Sequence, residues 1–238
     1  MFERMKKGSR SMMSRPRKQE RESGFLPLAI GTSGGVAIAA VAFWFFKQQA
    51  EYVVDGKAEK YDIAVIDLVH SASSERMTKA MKVVTQLGSH AAIGTAAGIT
   101  AVAMIWRRRN HDASTVIIST GGAMVLNSVL KAIFQRQRPG LARQIRLPKS
   151  HSFPSGHSLL SAATYPIVVH HLVRNRSVPI QLIAHLLSFA TIGTVGFSRV
   201  YFAVHFPSDV LGGFAAGFGW LGLTSLSHTI ADRELSLD

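Results

Sequence analysis

The sequence predicts an all-α protein, a bundle of six transmembrane helices with one short amphipathic helix at the membrane interface. The first observation behind this is a set of long stretches without charge. Residues 25–46, 83–106, 113–130, 155–173, 177–197 and 210–230 contain no Asp, Glu, Lys or Arg. Each has about the length that crosses a hydrocarbon core of roughly 30 Å as a helix. The second is that several connectors between them are short and basic, as at Arg107-Arg108-Arg109 and Arg174-Asn175-Arg176, which a soluble bundle of buried helices does not require. The third is that polar groups gather in three patches, each at the end of an apolar run. They are Lys131 to Arg138-Pro139, Pro154-Ser155-Gly156-His157, and Ser198-Arg199 through His205 to Asp209. A charge at membrane depth costs about 2.5–3.5 kcal/mol on insertion scales, so three such patches point to function.

The elements follow in order. Residues 1–23 form a basic polar tail, expected to be disordered and cytoplasmic, and residues 24–232 form one six-span domain followed by a short C-terminal tail, 233–238. The first run, Phe25 to Phe46, is longer than the apolar core of a cleavable signal peptide and is expected to remain as the first span. In the mixed segment Lys47 to Lys82, Ile63, Ile66 and Val69 recur at helical spacing among Asp62, Asp67 and Glu75. That pattern predicts the interfacial helix, with a solvated connector as the alternative. A second span, the turn Arg107 to Asp112, a third span and a loop from about Gln135 to Phe153 follow; were the third helix to continue, it would carry Lys131 and Arg138. Pro139 favours a helix end at its predecessor. The fourth and fifth spans flank Arg174 and Arg176, and a brief loop from Ser198 leads to a sixth helix starting near Pro207.

The formal charge is +13 and the pI near 10.6. The excess sits in the tail and beside spans, where anionic lipid surfaces attract it, and no base-stacking aromatics accompany it, so nucleic acid is excluded as a partner. The absence of cysteine removes disulfides, thiolate metal sites and thiol catalysis. With the tail inside, Lys and Arg number 14 inside against 13 outside, or 14 against 10 once Lys131, Arg138 and Arg199 are set apart as functional. This places both termini in the cytoplasm and the patches outside. Alternation alone puts all three patches on one side, where they can converge. Glycines four apart (Gly31 and Gly35, Gly94 and Gly98, Gly213 and Gly217) predict close helix packing, with a homodimer through one such face as the alternative.

The patches suit an oxyanion. Lys131 and Arg138, seven residues apart, share a face if the third helix continues. Pro154, Ser155 and Gly156 have the composition of a helix start, whose free N–H groups and positive dipole end favour phosphate. Gly156 lets the backbone approach closely, the Ser155 hydroxyl adds a donor, and His157 stands in the first turn. In the third patch Asp209, four residues after His205, can bind one ring nitrogen and leave the other free as a nucleophile.

These three patches, in this order, resemble the three-part signature of the type 2 phosphatidic acid phosphatase (PAP2) superfamily, whose fold is shared by acid phosphatases and haloperoxidases. The signature covers residues 131 to 209 and every signature position is filled. The resemblance implies a membrane lipid phosphatase with no cofactor and no metal. In it His205 forms a phosphohistidine, Asp209 orients His205, and His157 protonates the leaving oxygen and then activates water. Lys131, Arg138, Ser155, Gly156 and Arg199 hold the phosphate. It also implies a lipid phosphate substrate, of the undecaprenyl pyrophosphate, phosphatidic acid or phosphatidylglycerol phosphate class, and by analogy the plasma membrane of a bacterium. The alternatives are a phosphotransferase using the same site and a non-catalytic lipid-binding or transport protein of the same fold. Arg136, Arg143 and Arg146 are read as solvated interfacial charge, with contact to a second phosphate or a headgroup as the alternative, and Asp209 as the one carboxylate near the site.

Overall fold

The computed structural model describes residues 32–141, 145 and 149–234, with side chains from 34 to 226 within that set. The helices are α1 (Thr32–Val54), α2 (Glu59–Ser71), α3 (Glu75–Leu87), α4 (His90–Trp106), α5 (Asn110–Phe134), α6 (Gly156–Val173), α7 (Val178–Tyr201) and α8 (Pro207–Glu234), and no strand occurs among the described residues. The tail 1–23, the start of the first predicted span, residues 235–238, Arg143 and Arg146 lie outside the described residues.

Helix α6 is the axis. It is buried on most of its faces, with α4, α5, α7 and α8 packed around it, while α1 lies along α8 and α3 against α7. Polarity is inverted relative to a water-soluble bundle. Ile180, Ile183, Leu186, Leu187 and Phe189 of α7 are exposed, whereas Ser119, Thr120, Asn127, Thr164 and Gln181 are buried. The buried hydroxyls join helices: Ser119 Oγ donates to the Ala163 carbonyl at 2.8 Å, and Thr164 Oγ1 to Thr120 Oγ1 at 3.2 Å. In a hydrocarbon solvent, small residues and interhelical hydrogen bonds carry association in this way. Helices α5 and α7 are each long and apolar enough to cross a membrane, with mean hydropathy 1.6, and α3 with α4 qualifies as one bent pair.

Glycines set the closest contacts. A Cβ on Gly213 would lie 2.6 Å from the Ser155 carbonyl oxygen, and one on Gly217 would lie 2.4 Å from that of Leu159, so α8 sits directly on the α6 backbone. Gly35 and Gly222 make a similar approach between α1 and α8. Gly98 faces open space, and Gly31 lies outside the described residues.

Three expectations need correction. The second span is not continuous: α3 ends at Leu87 and α4 starts at His90, bent by 48°. Ser89 caps the new helix by accepting from the Ala92 N–H at 3.2 Å. The third helix gives way to the loop at Gln135, as expected, and does not take the conditional course to Arg138. It ends at Phe134, where Gln135 takes the left-handed conformation (φ 45°), so Lys131 and Arg138 do not share a helix face. In the segment 47–82 there are two helices after the end of α1. On α2 the inward stripe is Asp62, Ile66 and Val69, whereas Ile63 is partly exposed.

At the end of α5 away from Lys131, buried Asp112 pairs with Arg109 at 2.6 Å and Arg174 at 3.0 Å, with His171 Nδ1 at 3.6 Å. The basic connectors read from sequence as membrane-flanking charge thus also tie α5 to α6.

Candidate active site

The C-terminal ends of α5 and α7 and the N-terminal ends of α6 and α8 meet at one end of the bundle. The Ser155 N–H donates to the Asp209 carbonyl at 2.9 Å, which joins the second and third patches through backbone. The turn from α7 into α8 closes on Arg199, whose carbonyl accepts from the Val204 N–H at 3.1 Å and the His205 N–H at 3.4 Å, with Ala203 left-handed at φ 47°. Arg199 and His205 therefore belong to one rigid corner.

His205 is almost wholly buried, and its neighbours fix its tautomer. Nδ1 faces Asp209 Oδ2 at 3.3 Å and Ser152 Oγ at 3.3 Å; Nε2 faces Arg138 Nη1 at 3.0 Å. A carboxylate only accepts and a guanidinium only donates. Nδ1 thus carries the hydrogen and Nε2 the lone pair. The ring lies in the turn outside the helices. Burial, reinforced by the Arg138 and Lys131 cations and opposed by Asp209, pushes its pKa down to about 3. The imidazole is neutral and nucleophilic at Nε2. Asp209 Oδ2 also accepts from the Phe206 N–H at 2.9 Å and from the Ser152 hydroxyl.

Three cations gather at this end of the bundle: Arg138 meets Nε2 directly, Lys131 acts on the ring through its charge, and Arg199 stands within electrostatic reach of Arg138, Lys131 and His157. Lys131 Nζ donates to the carbonyls of His151 and Ser152. Arg138 donates to the carbonyls of Val204 at 2.6 Å and Ser150 at 2.8 Å, and burial draws its pKa below the ordinary arginine value, with Asp209 opposing. Arg199, 3% exposed, donates from Nη1 to Thr85 Oγ1 at 2.6 Å, while its Nε has no hydrogen-bond partner. Among the described residues no carboxylate lies within ion-pair distance of any of the three. Buried cations without counter-charge are costly, and a polyanionic group offsets that cost.

The second patch contributes a helix start. Ser155 is the N-cap of α6: its Oγ accepts from the Ser158 hydroxyl at 2.9 Å and lies 3.5 Å from the Ser158 N–H. The close approach at Gly156 is to the Asn127 side chain, whose nitrogen would lie 3.1 Å from an added Cβ. His157, half-buried in the first turn, stands within electrostatic reach of Arg199, His205 and Arg138.

Several residues at the site were not anticipated. Arg136 is not solvated: its side chain is 14% exposed, and it pairs with Asp209 Oδ1 at 2.6 Å and Asp62 Oδ2 at 2.9 Å. Asp209 is consequently not the lone carboxylate near the site, since Asp62 joins it through Arg136. The one signal for this was a charge at position 62 on the same α2 stripe as Ile66 and Val69. Ser152 and Thr85 gave no such signal. Gly88, in the break between α3 and α4, packs on His157: an added Cβ would lie 2.9 Å from its Cδ2 and 2.4 Å from Val195 Cγ1.

Both the sequence and the fold resemble known proteins. The sequence model of the PAP2 superfamily matches residues 112–232. The chain is 30% identical over 179 residues to phosphatidylglycerophosphatase B of Bacillus subtilis, covering 74% of this chain and 87% of that one. It is 29% identical over 137 residues to undecaprenyl-diphosphatase of Sulfolobus acidocaldarius, covering 54% and 60%. Its fold superposes with TM-score 0.74 and 28% identity on the crystal structure of a transmembrane PAP2-type phosphatidylglycerolphosphate phosphatase from Bacillus subtilis, over 83% of this chain and 96% of that one.

Proposed function

Because this chain belongs to the PAP2 superfamily and is a membrane lipid phosphatase, we propose that it hydrolyses a polyprenyl or glycerolipid phosphate by passing the phosphoryl group through Nε2 of His205. The observation that carries this reading is that Lys131, Arg138 and Arg199, none paired with a carboxylate among the described residues, gather at the end of the bundle where Arg138 meets the free nitrogen of a neutral imidazole.

In the first step the Nε2 lone pair forms a bond to phosphorus as the bond from phosphorus to the lipid oxygen breaks. That oxygen takes a proton from His157, and the phosphorylated ring keeps its Nδ1 hydrogen against Asp209. In the second step water attacks phosphorus, its proton passes to His157, and the bond to Nε2 breaks, returning both side chains to their starting forms. Lys131, Arg138, Arg199 and the N-terminal amides of α6 hold the equatorial oxygens, where charge is concentrated in the transition state. Arg138 turns from Nε2 to the phosphate as the substrate arrives. The reaction uses no metal: Asp62 and Asp209 are both occupied by Arg136.

Six passes are formed by α1, the bent α3–α4 pair, α5, α6, α7 and α8, with α2 at the interface. Both termini are cytoplasmic, and the site opens at the extracytoplasmic headgroup level of a bacterial plasma membrane. The apolar outer faces of α5 and α7 support the embedding, and the shared end of the patches supports the single-sided site. The substrate class follows from that placement, with the phosphate at the interface and the tails in the bilayer.

The test is phosphate release by the purified protein in detergent, with chelator present, from undecaprenyl pyrophosphate, phosphatidic acid and phosphatidylglycerol phosphate. Turnover of at least one and its loss in His205→Ala are expected. Full activity in that variant removes the nucleophile. Labelled phosphate appearing in a second lipid in place of water identifies a transferase.

A further inference from the structure

Arg136 and Asp62 are absent from the proposed chemistry, yet both are withdrawn from solvent and bonded to the carboxylate behind His205. Arg136 Nη1 donates to Asp209 Oδ1 at 2.6 Å and to Ser208 Oγ at 2.8 Å, its Nη2 donates to Asp62 Oδ2 at 2.9 Å, and its plane lies 4.2 Å from the Phe206 ring centroid. Asp62 completes the ring of contacts, accepting from the Ser208 N–H at 2.9 Å and the Ser208 hydroxyl at 2.5 Å. The Arg136 carbonyl accepts from the Ser152 N–H at 2.7 Å, and the Ser152 hydroxyl binds Asp209 Oδ2.

Resting on the phosphatase reading above, we propose that Asp62 and Arg136 are positioning residues for the nucleophile. They hold Oδ1 of Asp209 so that Oδ2 is presented to Nδ1 of His205. A carboxylate can rotate about its bond to Cβ, and each rotation changes which oxygen meets the ring. Here Oδ1 is fixed by a guanidinium that is itself fixed by Asp62, and Oδ2 is left for His205, Ser152 and the Phe206 N–H. The arrangement also makes α2, which lies outside the three signature patches, part of the support of the site. Lysine cannot replace the arginine, because one ammonium lacks the planar fork that reaches two carboxylates at once.

The experiment measures kcat and KM for phosphate release from dioctanoyl phosphatidic acid by the full chain in detergent, with thermal unfolding recorded on the same samples. The proteins are wild type, Arg136→Lys, Arg136→Gln and the double variant Asp62→Asn/Arg136→Gln. Outer partners of a catalytic group typically contribute 10–100-fold, so kcat in Arg136→Lys is expected to fall by about that factor. KM is expected to stay within about twofold, since binding is untouched. Arg136→Gln leaves two buried carboxylates without a cation and is expected to lose stability. The double variant removes one of those carboxylates and is expected to regain stability while kcat stays low. If kcat recovers together with stability, the pair is purely structural and the proposal is overturned. It is also overturned if Arg136→Lys turns over at the wild-type rate. If the wild type is inactive on this lipid, the same variants are compared on whichever of undecaprenyl pyrophosphate and phosphatidylglycerol phosphate it turns over; absence of turnover on all three overturns the phosphatase reading and this inference with it, whereas an active wild type with unimpaired variants overturns this inference alone. Should Arg136→Gln fail to fold, the other two variants decide the matter.

Discussion

Nη1 of Arg199 and Oγ1 of Thr85 lie 2.6 Å apart, a contact between residues 114 positions apart in the sequence. It ties the last turn of α7 to the last turn of α3 and holds a buried guanidinium within electrostatic reach of Arg138 and His157. Thr85→Val keeps the shape and deletes the acceptor, and is expected to lower kcat/KM by about tenfold, one lost hydrogen bond to a charged group. Arg199→Met is expected to lower it by about 10²–10³, the range for removing one donor from a developing oxyanion. Because no carboxylate among the described residues pairs with buried Arg199, the same substitution is expected to raise the unfolding temperature in detergent. A fall in that temperature would show that the cation stabilises the fold.

His205→Asn is expected to reduce turnover by about 10⁴-fold or more, as removal of a nucleophile does elsewhere. In wild type, rapid quenching with labelled lipid phosphate is expected to trap an acid-labile, alkali-stable phosphoprotein. Its persistence in the variant would place the covalent step on another residue.

Prolonged treatment with EDTA, followed by assay in chelator, is expected to leave the rate unchanged. Loss of activity restored by a divalent cation would require a metal in the reaction.

Stability should depend on pH through the same imidazole. Burial lowers the folded-state pKa of His205 to about 3, whereas in the unfolded chain it is about 6.5. Between those values the unfolded chain binds more protons, so stability is full above about pH 6.5 and declines as the pH falls toward 3. His205→Asn, which takes up no proton there, should show a shallower decline between pH 7 and 4. Parallel unfolding-temperature curves for the two proteins would contradict the buried neutral imidazole.

Gly88→Ala tests the break between α3 and α4. The added methyl meets Val195 Cγ1 at 2.4 Å and His157 Cδ2 at 2.9 Å, and overpacking of this kind costs about 1–3 kcal/mol. Since one of the two neighbours is the proposed acid, kcat is expected to fall further than stability predicts. A destabilised variant with unchanged kcat would detach the break from catalysis.

The residues that sequence reading grouped together were those whose chemistry is unusual in an apolar chain: Lys131, Arg138, His157, Arg199, His205 and Asp209. Their convergence was legible because alternating spans place their connectors on one side. Helix starts were also readable, since Ser155 and Pro207 carry local signals that the structure realises as an N-cap and a first helical residue. What stayed hidden depends on contacts distant in sequence. Asp62 and Arg136 are 74 residues apart, and a charge at either position looks the same in sequence whether water or a carboxylate surrounds it. The helix end near Gln135 was legible, but glutamine gives no warning of the left-handed conformation that rules out a continuing helix with Lys131 and Arg138 on one face. The break at Gly88 was hidden by uninterrupted hydropathy on both sides of it.

The seating of Gly213 and Gly217 on the carbonyls of Ser155 and Leu159 means that main chain rests on main chain between the helix carrying His157 and the helix carrying Asp209. Side chains can change rotamer; two backbones in contact have no such slack. When bilayer thickness or lipid composition changes, side chains on the apolar outer face of α7 can repack, while the spacing of α6 against α8, and with it that of His157 against Asp209, is held. The proposed catalytic spacing is thereby insulated from the solvent in which the protein lives.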